Sequence, residues 1–158
     1  MKVLFLLLFI SGCSLYFSGK DAPKTAKGSQ YSIPFSMPYW EYKKDKRSDY
    51  VFEHKDGRIL LSNSFCEEFQ EQPLDRLARK TFNNINEFKE SSGKFTTYHD
   101  REAYRLEGSG LVDGVKVNLR LLNTRRNNCY FDFLAISPEK TKDDGEAFET
   151  FLKAVISQ

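Results

Sequence analysis

The stretch Asp113-Gly114-Val115-Lys116-Val117-Asn118-Leu119-Arg120-Leu121 is a turn followed by a strict alternation. Val115, Val117, Leu119 and Leu121 fall on one side, and Lys116, Asn118 and Arg120 on the other. A two-residue period with one polar face is the pattern of a half-buried antiparallel strand, because successive side chains point to opposite faces of a sheet. Asp113-Gly114 favours positive φ and so closes a hairpin onto the strand before it. Downstream, Arg126-Asn127-Asn128 puts two asparagines, which tolerate positive φ, ahead of an apolar strand over Tyr130 to Ile136. Upstream, strands over Lys94 to His99 and Glu102 to Glu107 flank His99-Asp100-Arg101, and Gly108-Ser109-Gly110 reads as a kink or bulge in a long hairpin arm.

Further out, a strand from Trp40 to Lys44 carries Trp40 and Tyr42 on one face. Tyr50 to His54 alternates, Asp56-Gly57 turns the chain, and Ile59 to Asn63 returns as the partner strand. Pro73 opens a helix in which Leu74, Leu77, Ala78, Thr81, Phe82, Ile85 and Phe88 recur at three and four residues, until Ser91-Ser92-Gly93 stops it. Ala147, Phe148, Phe151, Leu152, Val155 and Ile156 make a second stripe on a closing helix, with Asp143 or Asp144 as its N-cap. The order is three strands, a helix, four strands and a helix, with no βαβ rhythm. It predicts an α+β domain, an antiparallel sheet of about six to seven strands packed by two amphipathic helices.

These features together resemble the PsbP-like fold family, which includes exported lipoproteins and the extrinsic photosystem protein. The likeness lies in the aromatic strand Tyr50 to Phe52 before Asp56-Gly57, the helix from Leu74 to Phe88, the long hairpin through Asp113-Gly114 and the closing segment Phe148 to Ile156. It covers most of the domain. The resemblance implies a sandwich with a binding or assembly role, and it brings no catalytic residue with it.

The N-terminus carries an address. Lys2 is a positive n-region and Val3 to Ile10 an apolar run too short to span a bilayer, which together read as an export signal. Ile10-Ser11-Gly12-Cys13 resembles a bacterial lipobox. That resemblance implies that residues 1–12 are removed as a signal peptide and that Cys13 becomes an acylated, lipid-attached N-terminus. The simpler alternative is an ordinary secretory signal in which Cys13 is a small residue near the cut. Ser14 after the cysteine implies transfer to the outer membrane of a bacterial cell envelope. Residues 13–30, rich in Ser, Gly, Lys, Ala, Pro and Thr, have the composition of a flexible tether, and 31–158 form the single domain.

The chain carries 24 basic and 22 acidic residues. Lys2, Lys20, Lys24 and Lys27, with Asp21, belong to the signal and tether, so the domain is near neutral and lacks the basic footprint of a nucleic-acid binder. In an exported chain the remaining pair of cysteines, Cys66 and Cys129, is most simply a disulfide; the other reading makes Cys66 a free nucleophile.

His54 and His99 lie beside acidic residues, but no metal-ligand spacing accompanies them, so no metal or cofactor is expected. Ser62 and Ser64 with a histidine and Asp100 would form a hydrolase only by chance, since neither serine sits in a nucleophile-elbow motif. The Arg125-Arg126 pair is read as solvated at a hairpin tip. Tyr31, Phe35, Tyr39 and Trp40, concentrated where tether meets domain, are the candidates for binding a partner; their alternative is to cap the core. The sequence thus points to a non-enzymatic envelope lipoprotein, attached to a lipid bilayer through Cys13 and docking on an envelope protein. The alternative is a carrier or sensor with a small-ligand pocket between sheet and helices, and an envelope hydrolase ranks below both.

Overall fold

The computed structural model describes residues 31–66, 72–141 and 145–157. Its centre is a seven-stranded, wholly antiparallel sheet built from β2 (Trp40–Lys43), β3 (Tyr50–His54), β4 (Ile59–Phe65), β5 (Asn86–Tyr98), β6 (Arg101–Val112), β7 (Val115–Arg126) and β8 (Cys129–Pro138). The spatial order is β2-β3-β4-β8-β7-β6-β5, so β4 and β8, far apart in sequence, meet at the middle. A separate two-stranded ribbon joins β1 (Tyr31–Ser32) to β9 (Ile156–Ser157) and brings the two ends of the domain together.

Period-two alternation sorts the side chains to two cores. From β8, Cys129, Phe131, Phe133 and Ala135 pack with α2 (Gly145–Lys153), while Tyr130, Leu134 and Ile136 pack with α1 (Leu74–Phe82). The helices therefore lie on opposite faces of one sheet. On the α2 face, Phe151 is fully buried among the rings of Phe35, Phe52 and Phe133, with centroids 5.7, 5.9 and 6.2 Å away. These edge-on contacts add to simple area burial.

Three successive hairpins close on two-residue turns in which both residues have positive φ: His99 and Asp100 (47° and 60°), Asp113 and Gly114 (49° and 78°), Asn127 and Asn128 (48° and 61°). This type I′ geometry matches the right-handed twist of the strands it joins.

Three expectations are corrected. The first helix ends at Phe82 and not at Phe88, and Ser91-Ser92-Gly93 lies within β5. Asn83 and Asn84 are poor helix formers, and the chain turns there. Ile85 and Phe88 still reach the α1 core, the Phe88 ring lying tilted 4.9 Å from that of Phe82, so their helical spacing is coincidental. Gly108 and Gly110 serve close approach: the register shifts sit opposite, in β5, and a Cβ on Gly108 would lie 2.5 Å from both the Lys89 carbonyl oxygen and the Phe88 ring. Ile156 leaves the helical stripe for β9 and is exposed. The signal, Cys13, the tether and the Asp143 or Asp144 cap lie outside the described residues.

Cys66, just past β4, is bonded to Cys129 at the start of β8, tying the two central strands together at one end. No helix among the described residues is long and apolar enough to cross a membrane.

Candidate functional site

The four aromatic residues singled out in the sequence divide. Tyr31 and Phe35 are buried in the α2 core, too enclosed to form a face on which another protein could dock. Tyr39 and Tyr42 are at the surface, 65% and 55% exposed, and Trp40 between them is half-buried with one side packed against the α2 core. All three lie on or beside β2, an edge strand of the sheet.

The patch has a firm footing. Tyr39 sits at positive φ, with the Lys55 ammonium 3.7 Å from its ring centroid, a cation–π contact. Buried His54 fills the space between the Tyr39 and Trp40 rings, at 6.0 and 5.2 Å. Its Nδ1 lies 2.7 Å from the Asp56 carboxylate, which also accepts from Arg58 Nε at 3.0 Å. Partial burial of Asp56 opposes its ionisation, but hydrogen bonds from Arg58 and His54 prevail and hold its carboxyl below the usual carboxylate range. The Arg58 guanidinium also lies 5.5 Å from the Trp40 ring. The hairpin that Asp56-Gly57 closes thus fixes the aromatic edge from behind.

A second feature lies at the other end of the α2 face. A cleft of ≈ 40 Å³ opens between the sheet and the chain after α2, floored by Tyr31, Tyr98, Phe131 and Phe133. His99, Arg101 and Arg126 stand around it. Tyr98 donates to the Leu152 carbonyl at 2.6 Å and stacks on His99, their centroids 4.3 Å apart. Burial raises the Tyr98 phenol, as it does that of Tyr31, where the neighbouring Asp49 carboxylate adds to the effect.

Behind the cleft, the Tyr31 hydroxyl donates to Asp49 Oδ2 at 2.9 Å and shares a 2.9 Å hydrogen bond with Ser62, while Ser64 donates to the same carboxylate oxygen at 2.6 Å. The two serines considered as nucleophiles are thus bound up with Tyr31 and Asp49. His54 is engaged with Asp56, and His99 with Tyr98. The arginine pair also divides, and neither member is a simple solvated tip: Arg125 donates to the Gln72 carbonyl and covers the Tyr130 ring, whereas Arg126 lines the cleft.

On the α1 face, Asp132 is a group that no local sequence pattern marks. It is buried in β8 and accepts hydrogen bonds from Asn123 of β7 and from Thr81 of α1. Burial pushes its carboxyl up to about 6 despite those two donors. Among the described residues no group of three or more His, Cys, Asp and Glu is arranged to hold a metal ion.

No protein-family model matches the sequence, and no curated protein matches it. Solved structures do. A structure of LpqN, involved in cell envelope biogenesis of Mycobacterium tuberculosis, superposes with a TM-score of 0.64 at 12% identity, over 84% of this chain and 88% of that one. The solution structure of cyanobacterial PsbP (CyanoP) from Synechocystis gives 0.59 at 12% identity, over 85% and 92%. A Bacteroides thetaiotaomicron structure gives 0.59 at 12% identity, and there this chain spans only 48% of the longer protein. At such identities the shared property is the fold, which is PsbP-like.

Proposed function

We propose that the chain is a cell-envelope protein that works without catalysis as a binding or assembly module. It is held to a membrane, in a Gram-negative host the outer membrane, through acylated Cys13, and it meets a protein partner through Tyr39, Trp40 and Tyr42. The observation that carries this reading is the aromatic edge: three large rings at the rim of β2, held in place by the His54, Asp56 and Arg58 cluster. Aromatic residues of this kind are enriched at interfaces because a rigid ring contributes much contact area for little lost conformational freedom. An edge strand also offers backbone groups to an incoming strand. The fold shared with LpqN, whose structure is described as involved in cell envelope biogenesis, is consistent with the location.

A photo-crosslinking amino acid at position 42, used in intact envelopes, tests this. A discrete crosslinked species should form, and it should disappear in a Tyr39→Ala, Trp40→Ala variant that keeps the wild-type circular dichroism. A crosslinked species that survives those substitutions unchanged would place the partner elsewhere.

The cleft favours a second reading, a small-ligand carrier. Drug-sized ligands occupy pockets of roughly 300–1,000 Å³. At ≈ 40 Å³ this cleft admits only one end of such a molecule.

A further inference from the structure

We infer that the cleft lined by Tyr31, His99, Arg101 and Arg126 is a phosphate subsite, and that its occupant is the headgroup of an anionic phospholipid in the membrane that anchors the chain. The inference rests on the anchored reading given above, and three observations on the described residues lead to it.

The first is charge. In a domain that is near neutral as a whole, the cleft brings Arg101, Arg126 and His99 together on its rim. Asp100 shares the turn with His99 but does not line the cleft. Guanidinium groups present paired N–H donors in a fixed fork that suits phosphate oxygens.

The second is size. A water takes up about 10–15 Å³ of such a cleft, so ≈ 40 Å³ is room for about three waters, the scale of one tetrahedral anion and not of a whole ligand. The bulk of whatever binds must stay outside, as a lipid does when only its headgroup is held. The tyrosine and phenylalanine floor gives the adjoining glycerol carbons an apolar surface.

The third is placement. The chain enters the domain at Tyr31, and Tyr31 is itself part of the cleft. On the anchored reading, residues 14–30 are the only chain between the lipid on Cys13 and Tyr31, so the cleft lies at the point where the domain receives its tether. The turn carrying His99 is a tight one with two residues at positive φ, neither of them glycine, and its stacking on Tyr98 holds the rim in shape before any ligand arrives.

The test uses isotope-labelled mature protein extracted from its own membranes and reconstituted in lipid nanodiscs of phosphatidylcholine alone or with phosphatidylglycerol added. The side-chain Nε–Hε resonances of Arg101 and Arg126 are followed by NMR. Both should move as phosphatidylglycerol increases and stay in place when inorganic phosphate is added to phosphatidylcholine discs. Arg101→Gln, at an exposed position where folding is not at stake, should weaken the Arg126 response about fivefold. Protein that travels with the discs but shows no movement at any phosphatidylglycerol content overturns the subsite. The same movement produced by inorganic phosphate assigns the cleft to a soluble phosphate and overturns the lipid. Protein that fails to travel even with phosphatidylcholine discs removes the anchor, and this inference falls with it.

Discussion

Replacing Asp132 with asparagine should stabilise the domain at neutral pH, although it removes a charge that accepts two hydrogen bonds. The folded-state pKa of about 6 lies above the ordinary 3.8, so the folded protein holds this proton more tightly than the unfolded chain. Stability from this group is therefore greatest below about pH 4 and declines as pH rises toward about 6. Above that, the folded state carries a buried carboxylate. The gap, at about 1.36 kcal/mol per pH unit, amounts to about 3 kcal/mol. The surrounding atoms suit a neutral group. Thr81 has one hydroxyl hydrogen and two acceptors in reach, the Leu77 carbonyl at 3.2 Å and Asp132 Oδ2 at 3.4 Å. When it donates to Leu77, the group at position 132 must donate to it, as a carboxylic acid or an amide does. Asn123 Oδ1, buried without a partner among the described residues, also gains a donor if its amide turns over toward a neutral group. Urea unfolding followed by far-ultraviolet circular dichroism from pH 4 to pH 8 measures the effect. The wild type should lose stability across the range from about 4 to 6, and Asp132→Asn should flatten that slope and gain about 2–3 kcal/mol at pH 8. A variant less stable than wild type at pH 8, with the slope unchanged, would refute the account of a carboxyl held neutral by its surroundings.

Phe151→Ala leaves a ring-sized void between Phe35, Phe52 and Phe133 and should cost about 3–5 kcal/mol in the same assay. Reduction of the Cys66–Cys129 bond, which spans 63 residues of sequence, should cost about 4 kcal/mol on chain-entropy grounds, read as a lower urea midpoint in the presence of reductant. Gly108→Ala pushes a methyl group against the Lys89 carbonyl and the Phe88 ring, and a loss of about 1–3 kcal/mol is expected, with faster hydrogen exchange along β5 as its local signature.

The sheet was legible because its strands obey simple local rules. Lys116 to Arg120 alternates cleanly, and Asp56-Gly57, Asp113-Gly114 and Asn127-Asn128 announce their turns with residues that accept positive φ. His99-Asp100 has the same geometry with weaker chemistry, and only the flanking strands betray it. Hydrophobic spacing misplaces the helix end because Ile85 and Phe88 face the same core whether the backbone is helical or extended, and the pattern cannot tell the two apart over so few residues. The site was half legible. A cluster of aromatic residues was visible, but whether each ring turns inward depends on β1 meeting β9 across the whole chain, which no local pattern records. Asp132 and the cleft escaped for the same reason. Asn123 and Asp132 become neighbours only through the β7–β8 register, and Arg101 meets Arg126 only because two hairpin ends align. One hint was available: Ser62, Asn63 and Ser64 interrupt an otherwise apolar strand, which is unusual unless other buried polar groups answer them.

The fastening of Tyr31 has a mechanical consequence. Any pull on the chain ahead of residue 31 enters the fold through β1, a ribbon of two residues that could be peeled from β9 with little work. The load does not stop there. The Tyr31 hydroxyl is tied to Asp49 and Ser62, its carbonyl accepts from the Tyr50 hydroxyl at 3.3 Å, and its ring lies against Phe131 and Phe133. Tension is thereby carried past the ribbon to β3, β4 and β8, and β4 and β8 are the strands that the disulfide locks together. One tyrosine thus works as a strain relief, as a cable clamp does where a cord enters its housing, and a domain drawn on by its own leash would take the force at its strongest seam.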